Sequence, residues 1–306
     1  MSDAPDDIVI ASAGLTVTVS PDGAELRRIV DADGRDLLWD GDPVFWTGRA
    51  PILFPIVGGL RGGVYRVDGV EYALPKHGFA RHSRFAVQDV SATTATFRLT
   101  DSAETRVVYP FPFVLDVAFW VSEMRLEIVA TVANPGTEVL PVSFGFHPAL
   151  RWPLPYGGAR EAHIVRFDKE EPAPVRSVTP DGLIAAEALP TPVEEDVLRL
   201  RDDLFAVDAV ILDRLESRGL WYGVPGEPGV RVDFPDMPEL GIWTKPGAGY
   251  LCIEPWQGMA DVEGYAGDFR DKPGVVQIGP GLSRAFGMQM TFGVVLDGSR
   301  DEAVLP

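Results

Sequence analysis

Cysteine is nearly missing from this chain. Cys252 is the single one in 306 residues, which excludes an intrachain disulfide and any small fold stapled by several bridges. Basic residues are scarce too. With 27 lysines and arginines against 45 aspartates and glutamates, the formal charge is -18, so a phosphate backbone or an anionic membrane would meet a mostly repulsive field. Neither nucleic acid nor a membrane is expected as a partner. No stretch approaches the ~18 uninterrupted apolar residues of a membrane span, and the acidic opening MSDAPDDIVI lacks the basic flank and apolar run of a secretory signal. These absences predict a cytoplasmic protein from which nothing is cleaved. Helical periodicity is the last scarce feature. Only Pro192 to Phe205, with Val197, Leu200 and Leu204 at helical spacing, admits it, and Leu198-Arg199-Leu200-Arg201 within that stretch suits a strand equally.

What the chain does have is alternation. From Met124 to Val132 the apolar Leu126, Ile128, Ala130 and Val132 alternate with Arg125, Glu127, Val129 and Thr131, and Leu15, Val17 and Val19 recur at the same spacing. A strand with one buried face requires this pattern. Turn signals at Pro21-Asp22-Gly23, Asp68-Gly69, Asn134-Pro135-Gly136 and Pro225-Gly226 punctuate β-branched or aromatic runs. With 46% hydrophobic residues the chain supports a large core, and no repeat or long linker divides it. The prediction is an all-β fold in one domain spanning 1-306, with Arg151 to Pro192 forming long connections at one end of the sheets.

Three segments combine aromatics, glycine, proline and ionisable groups. RAPILFPIVGG, from Arg49 to Gly59, precedes KHGFARH, from Lys76 to His82, where a His-Gly corner lets the backbone approach a ligand. In SFGFHP, Pro148 biases His147 toward an extended conformation near a strand end. In YLCIEPW, alternation puts Leu251 and Ile253 on one face and Cys252 and Glu254 on the other, so a carboxylate is held beside apolar groups. Each also has a structural reading: a histidine in aromatic surroundings as hydrogen-bonded packing, Glu254 as half of a salt bridge with Arg49 or Arg81, Cys252 as inert packing. His82 and His163, in polar surroundings, are expected at the surface.

In order and spacing these motifs, RAPILFPIVGG with KHGFAR, then SFGFHPAL, then CIEPWQGMAD, resemble those of the aldose 1-epimerase family, closest to its small bacterial members. The resemblance spans residues 49 to 261. It implies a galactose-mutarotase-like β-sandwich with an open carbohydrate cleft, in which His147 matches the general acid, Glu254 the general base and His77 a substrate-binding histidine. A further sugar-binding aspartate falls at Asp208, with Asp213 as the competing placement. One position departs from the family: where relatives carry an arginine after the first motif, this chain has Gly59. Arg49, or Arg61, is then expected to supply the cation.

The chemistry asks for one acid and one base. Removing the C1 hydroxyl proton and protonating the ring oxygen opens the sugar; rotation about C1-C2 and reclosure give the other anomer. Glu254 ionised and His147 protonated would serve, the overall acidity favouring the imidazolium, with no metal or organic cofactor. Trp256 and the phenylalanines of the second motif are expected against the apolar face of the pyranose, with His77, Arg49 and Asp208 on its hydroxyls. The expected partner is a monosaccharide, free or phosphorylated, since Arg49, Arg81 and Arg84 could form an anion site; the chain is expected as monomer or homodimer. Two other classes remain open: a non-catalytic carbohydrate-binding protein, and a metal-dependent β-barrel enzyme using His77, His82, His147 and Glu254, whose histidines lack compact ligand spacing.

Overall fold

Period-two segments pair as antiparallel strands throughout the computed structural model, which describes residues 6-296 and the short strand Ala303–Val304. The alternation from Met124 to Val132 becomes the strand Arg125–Ala133, and its apolar set, Leu126, Ile128, Ala130 and Val132, is buried while Arg125 and Glu127 are exposed. This strand lies inside a ten-stranded sheet, between Val114–Ser122 and the long strand Ser283–Leu296. A six-stranded sheet is built on Tyr250–Gln257, flanked by Glu239–Trp243 on one side and by Phe144–Phe146 and Ala149–Arg151 on the other. Smaller sheets of three and two strands attach to these. Among the described residues one short α-helix occurs, Ala103–Val108, whose N-cap Ser102 accepts a bond from the Thr105 amide.

The two large sheets meet face to face. Phe144 of the six-stranded sheet stacks on Phe286 of the ten-stranded one, ring centroids 5.0 Å apart and 7° from parallel. Each strand of the smaller sheet sends alternate residues to this core: Ile52, Phe144, Phe146, Leu240, Ile242, Leu251 and Ile253 belong to one continuous apolar cluster. Their neighbours Leu53, Trp256 and Ile211 form a second cluster, and Cys252 and Tyr250 a third, on the opposite face. A sheet with two apolar faces has a core on one side and something else to cover on the other.

The segment Pro192 to Phe205 resolves into the strand Val197–Arg199 and a 3-10 turn, Asp202–Phe205, so the strand reading of Leu198-Arg199 is the one realised. Between Arg151 and Pro192 the chain is largely irregular apart from Ile164–Phe167, and part of it folds back over the outer face of the six-stranded sheet.

Candidate functional site

A cavity of about 230 Å³ opens on that outer face. Register explains why its two central groups meet. Gly145 pairs with Trp256 and Ala149 with Cys252, so His147, midway between, stands opposite Glu254. His147 Nε2 lies 3.1 Å from Glu254 Oε2, and both side chains are almost fully buried, at 9% and 3% exposure. Period two also fixes the direction. Gly145, His147, Cys252, Glu254 and Trp256 share the cavity face, and a side chain at Gly145 would strike the Trp256 indole at 2.7 Å.

Burial governs the charges of the pair. It holds the Glu254 carboxyl well above the usual carboxylate range and pushes the His147 imidazole below its own. Asp208 reinforces the first effect, Lys76 and Arg81 the second. The expected imidazolium in the free site is therefore corrected: the acidity of the whole molecule is screened and distant, whereas desolvation acts at the ring itself. A neutral pair, with one proton shared along the 3.1 Å contact, is the state favoured by burial.

His77 is set by its backbone. It takes φ 69° and is followed by Gly78 at φ 71°, where an added Cβ would lie 2.2 Å from the Phe54 carbonyl oxygen. The Gly58 amide donates to His77 Nδ1 at 3.0 Å, which leaves the proton on Nε2 and makes this ring a neutral donor. Its ring lies 5.8 Å from that of His147 and nearly perpendicular to it. Trp46 covers the His147 imidazole at 5.0 Å, and Trp243 meets the same ring edge-on at 5.8 Å.

Asp208 and Trp256 line the cavity. Asp213, the competing aspartate, accepts a bond from Arg176 Nε at 2.9 Å and lies outside the lining. Arg49 is corrected as well: its Nη1 donates to the Arg27 carbonyl at 2.6 Å, and it too stands outside the lining, because Glu25 and Arg27 from an earlier strand hold it there. Arg61 donates to the Gly264 and Tyr265 carbonyls, and Arg84 pairs with Asp6 and Asp22, so no arginine triad assembles. Phe144 and Phe146 face the core, since His147 between them and Pro148 faces the cavity. His163, expected at the surface, is 1% exposed and accepts from the Leu154 amide; His82 is exposed, as expected.

Of the aromatic and charged cavity residues, Trp46, Trp243 and Lys76 had no role in the sequence reading, and of these three Lys76 alone lies inside a recognisable motif. The position of the missing arginine has a physical account. A Cβ at Gly59 would lie 2.8 Å from the Gly182 carbonyl oxygen, so the turn Thr179–Gly182 occupies that space, and its neighbours Val178 and Ile184 form an apolar wall.

The ligand atoms of His147, Cys252 and Glu254 lie within 4.8 Å of one another, the one such group among the described residues. Burial and Glu254 raise the Cys252 thiol well above its usual range, which holds it protonated and opposes metal ligation. The four-residue set His77, His82, His147 and Glu254 does not assemble, because His82 lies outside the cavity.

The aldose 1-epimerase family model matches residues 6–270. The chain belongs to that family. Protein LacX (chromosomal) of Lactococcus lactis subsp. lactis is 33% identical over 276 residues, covering 87% of this chain and 92% of that one. Among solved structures, a galactose mutarotase related enzyme from Lactobacillus acidophilus superposes with a TM-score of 0.85 at 31% identity, over 98% of this chain and 100% of that one. A galactose mutarotase-like protein from Lactobacillus casei gives 0.86 at 28% identity, over 94% and 99%. The aldose 1-epimerase fold of two unclosed, facing sheets is thus the one anticipated from the motifs. No helix among the described residues is long and apolar enough to cross a membrane.

Proposed function

We propose that this member of the aldose 1-epimerase family is a mutarotase, interconverting the α and β anomers of a hexose through His147 and Glu254. The observation that carries the reading is their 3.1 Å approach, buried, at the centre of a cavity of monosaccharide size. Glu254 takes the C1 hydroxyl proton while His147 donates to the ring oxygen; the C1-O5 bond breaks as the C1 carbonyl forms. Rotation about C1-C2 and the reverse transfers close the other anomer. The two transfers together move one proton from imidazole to carboxylate, with the sugar as the intermediary. Because burial disfavours the ionised pair, the carboxylate is a strong base and the imidazolium a strong acid once a substrate comes between them. Ring opening discharges both. The neutral His77 Nε2-H and the Asp208 carboxylate bond the hydroxyls, and the Trp256 indole, whose N–H points to the Glu254 carboxylate, borders the ring. This chemistry asks for no cofactor.

Polarimetry or anomer-resolved NMR on freshly dissolved glucose and galactose tests the reading. His147→Asn and Glu254→Gln should each lower kcat by about 100- to 10,000-fold, the worth of a positioned acid or base, with an unchanged circular dichroism spectrum. Sugar binding with no acceleration in the parent protein would make it a carbohydrate-binding protein instead.

A further inference from the structure

We infer that the sugar bound here carries a single negative charge, a carboxylate as in a hexuronate, held by Arg81 and Lys76. The inference deepens the mutarotase reading and rests on it for the identity of the site. Both cations line the cavity. Arg81 is half-buried, its Nε is buried with no hydrogen-bond partner, and its side chain forms no salt bridge among the described residues. The acid nearest in effect, Glu25, is already engaged by Arg27 and by the amides of Arg49 and Ala50. Lys76 is exposed at the rim and likewise lacks an ion pair among the described residues. Unpaired cations are unexpected on a protein of formal charge -18, where carboxylates outnumber them. A half-buried guanidinium that lines the cavity without a counter-ion costs free energy that a bound anion recovers.

The count of charges decides between anions. Lys76 and Arg81 contribute two positive charges to the lining and Asp208 one negative, while His77 is neutral and the His147–Glu254 pair is neutral as a unit. The net of one positive charge matches a carboxylate and leaves a dianionic phosphate half unmatched. Geometry points the same way. Val178, Ile184, Ile211 and Ala260 make much of the remaining lining apolar, so Arg81 and Lys76 are the cations it offers a charged substituent.

Anomeric exchange rates by proton NMR at neutral pH, on the full chain, test this with glucuronate and galacturonate, their neutral parents glucose and galactose, and glucose 6-phosphate. At least one uronate should exceed its neutral parent in kcat/KM by about tenfold or more. In Arg81→Met that ratio should fall by about 10- to 100-fold, the effect of losing one charge-assisted bond. Lys76→Met, at an exposed position, gives a second reading should Arg81→Met fold poorly, with a fall in the same direction. Equal or better turnover of the neutral parents overturns the inference while leaving the mutarotase reading intact. So does a preference for glucose 6-phosphate over both uronates, or a ratio that neither variant changes. If no aldose is accelerated at all, the mutarotase reading fails, and calorimetric binding of glucuronate, weakened in Arg81→Met, still reads the anion site by itself.

Discussion

At the scale of single residues, the His147–Glu254 pair makes two measurable statements about pH. Burial opposes both the singly negative and the singly positive pair, lowering the imidazole and raising the carboxyl, so the one-proton state persists on either side of the values these groups have in water. kcat/KM should therefore run flat from about pH 5 to pH 8, with no inflection near the ~6.5 of a free imidazole; a half-titration near that value would show His147 solvated and acting alone. Stability carries the second statement. Glu254's folded pKa is raised above its unfolded one, so in the window above the ordinary 4.5 the folded protein retains a proton that the unfolded chain has released. The carboxyl thus costs more stability as pH rises through that window. Glutamine bears no such cost. The melting temperature of Glu254→Gln should gain on the parent as pH is raised from 4.5 toward 8, and a gap that narrows instead would mean Glu254 is ionised in the folded protein.

At the scale of elements, the same alternation that forms the sheet sorts site from core. The strand Tyr250–Gln257 gives Cys252, Glu254 and Trp256 to the cavity side and Leu251 and Ile253 to the core, as its sequence announces. Applied to SFGFHP, the rule also sends Phe144 and Phe146 away from His147, and assigning those rings to the sugar overlooked it. Other features were not legible locally. Arg49 is withdrawn by Glu25 and Arg27, 24 and 22 residues earlier, and His147 is reached by Trp46 from a loop tied to Trp39 and by Trp243 through its strand's pairing with Tyr250–Gln257. His163 looked solvated because its partners, the Leu154 amide and Ala159 carbonyl, are backbone groups that no side-chain pattern reveals. The His-Gly corner was legible, and its dependence on glycine is testable. Gly78→Ala would place a methyl 2.2 Å from the Phe54 carbonyl oxygen at φ 71°. We expect a loss of about 1–3 kcal/mol in urea unfolding from the backbone alone, together with a raised KM as His77 shifts. At Gly59 the Gly182 carbonyl stands in the way, so Gly59→Arg should displace the turn Thr179–Gly182 and raise proteolytic cleavage there rather than add a sugar contact.

At the scale of the whole molecule, composition and local electrostatics pull apart. The excess of 45 acids over 27 bases leaves 18 carboxylates without a cation to match, whereas the cavity wall at Lys76 and Arg81 is locally positive. Many acids are paired at the surface, as Arg98–Asp116 and Arg28–Asp36 are. Exposed pairs of this kind contribute about 0–1 kcal/mol each. Salt weakens those pairs and also the mutual repulsion of the unmatched acids, so the sign of its effect reports which is larger. With the surplus this large, repulsion dominates. Between 10 mM and 1 M sodium chloride the screening length falls from about 30 Å to about 3 Å, and the melting temperature at pH 8 should rise, by roughly 2–4 °C for each kcal/mol of relieved repulsion. A melting temperature that falls with salt would assign the net electrostatic stability to the ion pairs instead. Glucuronate binding should weaken over the same salt range, because the contact with Arg81 is short-ranged but Lys76 at the rim is open to screening; glucose binding, which involves no net charge, should not.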